Sequence, residues 1–449
     1  MPVASRTIAA SLAAALGAAL AAFVLTVPPG GHWAVNASDR QFDSWLDAQP
    51  TGVAVGAVIA VATCILLQRS GSRRVGWAAA AMATLVLLGA RLTVPGVSDF
   101  DALTALHYLK TAAAGVLLGS VVATAWAGRA GQWATTLGAV AAFLSAQASG
   151  MATLTFTTSS VGEPSWWLLG PTLALAIASA VTADAGTRIQ RVSGPEARGA
   201  LLTVVALAVV NRLQLSWINE RGSDSRLHVW VVLGVAMVVV LVATEVCARL
   251  VERESGGGAF LLATTGVAAA AMPVLVDLRD PFREVSPSVV VAVATGAVAV
   301  GLRLAGRWRT PVAGLGVAAL VPLLAAIWPD FGHDGPWLLV RLAVLGVGAG
   351  LAVGSTLPGV AAVAAAGFTI PFVSMVFYSA ATVATSTVVH SGAYEPLRGG
   401  PTLSAHTPET GWTAYGFDYP GFDYRSAGIA LAIAVAFCAF GVRGLRAPR

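Results

Sequence analysis

The sequence predicts an all-α polytopic membrane protein of about fourteen transmembrane helices. Three observations carry that expectation. Charged residues make up 11% of the 449-residue chain and apolar residues 56%, whereas a soluble protein carries about 25% charge. Mean hydropathy is +0.76; a water-exposed surface of that composition would aggregate, and lipid is the solvent that suits it. The apolar residues also fall into runs of about 20, the length that crosses a bilayer core.

The runs follow in order. Residues 7–27 are long enough to span and lead into more membrane protein, so they read as an uncleaved first helix rather than a signal peptide. Spans at 51–68 and 75–95 flank the turn "QRSGSRR", and a fourth at 104–127 opens with "HYLKTAAAGVLLG". Residues 133–154 and 166–184 complete a first group, and 199–218 and 227–250 form a pair that ends in basic residues. Then come 258–277, 287–304, 311–328 and 337–357, the last opening with "LLVRLAVLGVGAG". The stretch 358–389 is too long for one helix; Pro358 and Pro371 point to a short loop or broken start before a span at 365–389. Residues 426–443 form the last span, after an outer loop at 390–425 that carries "AYGFDYPGFDY".

Charge fixes the expected orientation. Arg69, Arg73 and Arg74 follow the second span, Arg129 the fourth, Arg188, Arg191 and Arg198 the sixth, Arg249 and Arg253 the eighth, Arg303, Arg307 and Arg309 the tenth, and Arg443, Arg446 and Arg449 the last. The alternate loops are acidic, with Asp39, Asp43, Asp47, Asp99, Asp101, Glu163, Asp330 and Asp334 among them. Arginine collects on the cytoplasmic side, so both termini are expected inside a cytoplasmic membrane. Net charge is only +5 and the bases lie in short clusters, which excludes a nucleic-acid partner. Lys110 is the single lysine, and Arg, Ala, Gly and Val abound, a codon pattern of GC-rich, actinobacterial genomes. Cys64, Cys247 and Cys438 lie far apart in apolar runs, the pattern of core residues rather than of a disulfide or a metal site. No phosphate loop or hydrolase motif occurs, and no cofactor or metal is expected.

The chain repeats itself. With the first span laid on the ninth, "QRSGSRR" falls on "RLAGRWR". Lys110 is followed by Gly115 and Gly119, and Arg341 by Gly346 and Gly350, at the same offsets; Gly354 continues the second series. Glycines four apart let helices approach closely in lipid, and a cation within a span calls for a partner or a watery cavity. The expected divisions are two six-helix bundles, 1–190 and 255–449, with two inserted helices at 191–254. Lys110 and Arg341 are expected either to snorkel to the outer interface or to share an outer vestibule, held by Asp101 and Asp334. Further candidates for a translocation path are Gln147, Asn211, Arg212 and Asp277.

On these motifs the chain resembles the major facilitator superfamily, in particular its fourteen-span drug:proton antiporter branch. The family's loop after span two, roughly G-x-L-x-D-R-x-G-R-R, is met here by Arg69, Gly71, Arg73 and Arg74, with Gln68 where the family has Asp. Lys110 is the nearest match to the family's basic residue in span four, and the Gly-Pro bend of span five is absent. The resemblance implies a secondary transporter or exporter working by alternating access, with Arg73 and Arg74, and in the second half Arg303, Arg307 and Arg309, at a cytoplasmic gate. The substrate expected is an amphipathic or lipid-like small molecule, with proton coupling as an option. Two other readings stand beside it. One is a non-transporting scaffold for envelope biogenesis, for which loop 390–425 offers a docking site for an envelope protein. The other is a lipid-linked-sugar glycosyltransferase using Asp39, Asp43 and Asp47.

Overall fold

The computed structural model describes residues 3–27, 39–94, 100–150, 163–183, 189–220, 226–280, 284–383 and 423–446. Most of loop 390–425 therefore lies outside the described residues, as do Asp99 and Arg188. The helices are α1 (Val3–Thr26), α2 (Asp39–Ser70), α3 (Arg73–Thr93), α4 (Phe100–Ala125), α5 (Arg129–Gly150), α6 (Trp166–Thr182), α7 (Gly194–Glu220) and α8 (Arg226–Ser255). They continue as α9 (Gly258–Asp277), α10 (Pro287–Trp308), α11 (Pro311–Ile327), α12 (Gly335–Gly354), α13 (Ala361–Gly367), α14 (Met375–Ala381) and α15 (Tyr424–Arg446). The protein is an all-helical, multi-pass membrane protein: ten helices are long and apolar enough to cross a bilayer among the described residues, and α6 and α11 are shorter apolar helices.

The thirteenth passage departs from the continuous 365–389 helix expected from sequence. It breaks into α13, a 3₁₀ turn at Ile370–Val373 and α14. Pro371 has no N–H to continue an α-helix and sits at the start of the turn. Irregular backbone at membrane depth survives only where protein shelters it, and here α7 and α9 pack against the turn.

Outward faces carry large apolar side chains, among them Leu202, Leu213, Val238 and Val246 on the α7–α8 pair, as a lipid-facing surface requires. Polar residues within the spans satisfy themselves locally: Thr84, Thr111, Thr124 and Thr264 each donate to the carbonyl four residues earlier. Every residue of α9 is buried, because α8, α11, α12 and α15 surround it.

Packing recurs along the chain. Helix α2 runs beside α4, α3 beside α4 and α6, and α1 beside α4, α5 and α6; likewise α10 runs beside α12, α11 beside α12 and α15, and α9 beside α12, α13, α14 and α15. The glycines explain the tightest of these contacts. A methyl group at Gly115 would overlap the carbonyl oxygen of Gly56, and one at Gly119 that of Ala60, so α4 lies backbone-to-backbone on α2. At Gly350 it would overlap the carbonyl oxygen of Val298; at Gly346 it would fall 2.7 Å from Ala297 Cβ, and at Gly354 2.9 Å from Ala305 Cβ. Helix α12 therefore lies on α10 as α4 lies on α2.

The helix ends sort by charge. Arg69, Arg73, Arg129, Arg249 and Arg309 share one end with the start of α1 and the finish of α15; Asp47, Asp277, Asp334 and Asp423 share the other. The turns after α2 and α10 also correspond. Each leaves its helix through one residue in the left-handed region, Gly71 at φ 71° and Arg309 at φ 46°.

Candidate functional site

Two buried ion pairs lie toward the acid-rich end. Lys110 on α4 pairs with Glu163, from the segment leading into α6, and both side chains are almost wholly shielded. Arg341 on α12 donates from Nη1 to Asp277 Oδ2 at 2.7 Å and to the Gly332 carbonyl at 2.8 Å. Asp277, the last residue of α9, also meets His333 Nδ1 at 2.9 Å and accepts from the Tyr424 hydroxyl at 3.1 Å. The partners differ from the expected Asp101 and Asp334. Asp334 instead caps α12, accepting from the Gly335 N–H at 2.7 Å and from the Glu284 N–H at 2.9 Å. A loop carboxylate that caps a helix is already engaged, so the span cations take acids that the fold buries beside them. His333 lies in the loop before α12. Burial alone would lower its imidazole pKa, but the hydrogen bond and charge of Asp277 outweigh that and hold it above the ordinary value.

Between these pairs lies a cavity of about 260 Å³. Its wall comes from α1 (Leu25, Thr26), α2 (Gln49, Pro50, Val53), α4 (His107), α5 (Phe143, Gln147), α9 (Met272, Leu275), the turn after α9 (Arg279), and the broken passage (Phe372, Ser374, Met375, Tyr378). Gln147 is the one earlier candidate in this wall. Its Nε2 donates to the Thr26 carbonyl at 3.0 Å and its Oε1 accepts from Arg279 Nε at 2.9 Å. Arg279 also bonds the Tyr378 hydroxyl, and its guanidinium carbon stands 4.7 Å from that ring's centroid. Phe143 and Phe372 stack across the wall with centroids 4.3 Å apart.

Asn211 and Arg212 act elsewhere. Asn211 Oδ1 accepts from Ser374 Oγ at 3.0 Å, tying α7 to the broken passage. Arg212 donates from Nε to Thr51 Oγ1 at 2.9 Å and pairs with Asp47 at 3.4 Å, tying α7 to α2. That pairing occupies Asp47; the side chains of Asp39 and Asp43 lie outside the described residues.

Aromatic residues pack at the arginine-rich end. Trp126, just past α4, is buried and donates from Nε1 to the Pro358 carbonyl at 2.9 Å. Phe368 meets Trp126 edge-on at 6.0 Å and Phe260 at 5.3 Å. In the motif loop Arg69 and Arg74 are exposed, and Arg73 is half-buried against a separate hollow among α1, α3, α4, α5 and α6. Gln68, standing where the resembled family has Asp, is buried and donates from Nε2 to the Gln190 carbonyl at 3.1 Å, while Ile189 N–H donates to the Gly71 carbonyl at 3.0 Å. Arg303, Arg307 and Arg309 are exposed, and the Arg309 carbonyl accepts from Arg446 at 3.4 Å.

Sequence reasoning missed Arg279, Tyr378 and Trp126. Arg279 stands in "DLRDPF", where it reads as an interface charge beside acids, and Trp126 at a helix end reads as an interfacial anchor.

No protein-family model matches the chain, and no curated protein does. Solved structures similar to it include the human organic anion transporter MFSD10 (TETRAN), at 13% identity and TM-score 0.48, with 98% of this chain and 100% of that chain covered. A partially occluded inward-open form of the xylose transporter XylE from E. coli matches at 13% identity and TM-score 0.48, over 99% and 100% of the two chains. An auto-inhibited POT family peptide transporter matches at 13% and 0.44, over 99% and 97%. Likeness at this level assigns the chain no substrate.

Proposed function

We propose that the protein is a secondary transporter of the major facilitator type that moves an amphipathic small molecule by alternating access. The observation that carries this reading is the cavity lined from both sets of helices, by α1, α2, α4 and α5 on one side and by α9 and the broken passage on the other, with Trp126, Pro358, Phe368 and Phe260 in contact toward the arginine-rich end. On this reading residues 1–190 and 255–449 are the two bundles, and α7 and α8, residues 191–254, brace them. The repeated packing of α2 on α4 and α10 on α12, with glycines at matching offsets, supports that division. The cytoplasmic side is the arginine-rich end, so the cavity belongs to a state turned toward the outside. Closure at one end and a cavity at the other is what a carrier needs at each half-cycle. Gln68 and its Gln190 bond take the place of the Asp latch of the resembled family.

The test is flux through proteoliposomes. Naphthalene-based probes, neutral, anionic and cationic, are loaded and followed with and without a proton gradient. At least one should cross faster than in protein-free vesicles. Val53→Trp, which fills the cavity from α2, should block that flux at unchanged protein abundance. Equal leakage with and without protein, or flux indifferent to Val53→Trp, would overturn the reading.

A further inference from the structure

We infer that the cavity receives an organic anion with an aromatic or acyl body, and that Arg279 holds its acid group. The inference rests on the transport reading above and names the substrate class for that same site.

The argument starts from charge. A guanidinium stays protonated in proteins, and a cation removed from water without a counter-charge is costly. Lys110 and Arg341, and the less shielded Arg212, meet that requirement with a carboxylate. Among the described residues the partners of Arg279 are neutral: Gln147 Oε1, the Tyr378 hydroxyl and the face of the Tyr378 ring. The wall of the cavity contains no aspartate or glutamate among the described residues. Among the described residues the wall therefore carries a fixed positive charge and no carboxylate, which disfavours a cationic occupant.

Arg279 is also aimed. Gln147 donates to Thr26, which turns its own oxygen toward Arg279 Nε. With Nε and Nη1 so engaged, Nη2 is the remaining edge of the guanidinium. A carboxylate, sulfonate or phosphate ester at that edge would gain a charge-assisted hydrogen bond in an apolar setting, roughly twice the strength of a neutral one. The rest of the wall is apolar: the stacked Phe143 and Phe372, with Met272, Leu275 and Met375. Stacked rings accept a flat ring, and methionines adapt to an irregular apolar body.

The test uses the full-length protein in nanodiscs of zwitterionic lipid, with 2-naphthoate and its neutral isostere 2-naphthamide measured by calorimetry. The acid should bind at least about tenfold more tightly than the amide, the gain of one charge-assisted bond. Arg279→Gln should remove that preference, and Arg279→Lys should keep part of it. Equal affinity for acid and amide in the native protein overturns the inference without any variant, as does absence of binding by either. Survival of the preference in Arg279→Gln overturns it too. The same probes in proteoliposomes separate the two claims. Acid preference without flux leaves the anion site standing and removes the transport reading. Flux without acid preference does the reverse.

Discussion

Lys110 and Arg341 occupy matching places, yet the chain answers them differently. Glu163 comes from a loop and Asp277 from a helix end. Removing one member of a buried pair strands the other and costs about 3–5 kcal/mol. Lys110→Met should therefore lower the melting temperature markedly, and Lys110→Met with Glu163→Gln should recover most of the loss. A single variant that melts like the native protein would show that the lysine is a snorkelling anchor. His333 adds a pH dependence. Its folded-state pKa lies above the ordinary value, with Asp277, Arg341 and Tyr424 facing it and Asp280 near the same cluster. Its contribution is complete below the unfolded-state value, about 6.5, and is lost as pH rises through the raised one. Melting of the native protein and of His333→Gln should differ in acid and converge in alkali; a gap constant with pH would contradict this. The two cations were legible in the sequence from their offsets to glycine. Their partners were not, because separations of 53 and 64 residues carry no local pattern.

At the scale of elements, glycine sets how closely helices approach. Gly119→Ala forces a methyl group onto the Ala60 carbonyl, whereas Gly316→Ala on α11 points into open space. Overpacking costs about 1–3 kcal/mol, so the first should destabilise by that order in thermal melting and the second should be neutral or mildly stabilising. Equal effects would remove the close approach from the account. The left-handed exits make a matched pair. Arg309 carries a side chain where Gly71 carries none, a strain of about 1–2 kcal/mol. Arg309→Gly should raise the melting temperature slightly and Gly71→Ala should lower it. Nearly every helix was legible here, because apolar runs, arginine-rich turns and proline mark their own boundaries. The exception is the thirteenth passage. Its apolar composition continues through Pro371, and packing by α1, α2, α7 and α9 makes a broken backbone tolerable there.

For the whole molecule, the central claim is that two sets of helices rock about the cavity. Arg279, Tyr378 and Trp126 show why the site was harder to read than the fold: each sits at a helix end or in a broken segment, where residue type alone signals a membrane interface. A bistable pair of bodies should open one end as it closes the other. Gly128 and Gly359 at the arginine-rich end both face open space, and Thr93 and Asp330 at the acid-rich end are exposed. Spin labels at these pairs, with Cys64, Cys247 and Cys438 replaced by Ala, report each end separately. Double electron–electron resonance in nanodiscs, with and without 2-naphthoate and at acid and neutral pH, is the most direct measurement. The account predicts two populations at each end, with the Gly128–Gly359 distance lengthening under the conditions that shorten Thr93–Asp330. A single unchanging distance at both ends under every condition would contradict alternating access and leave the protein a static scaffold.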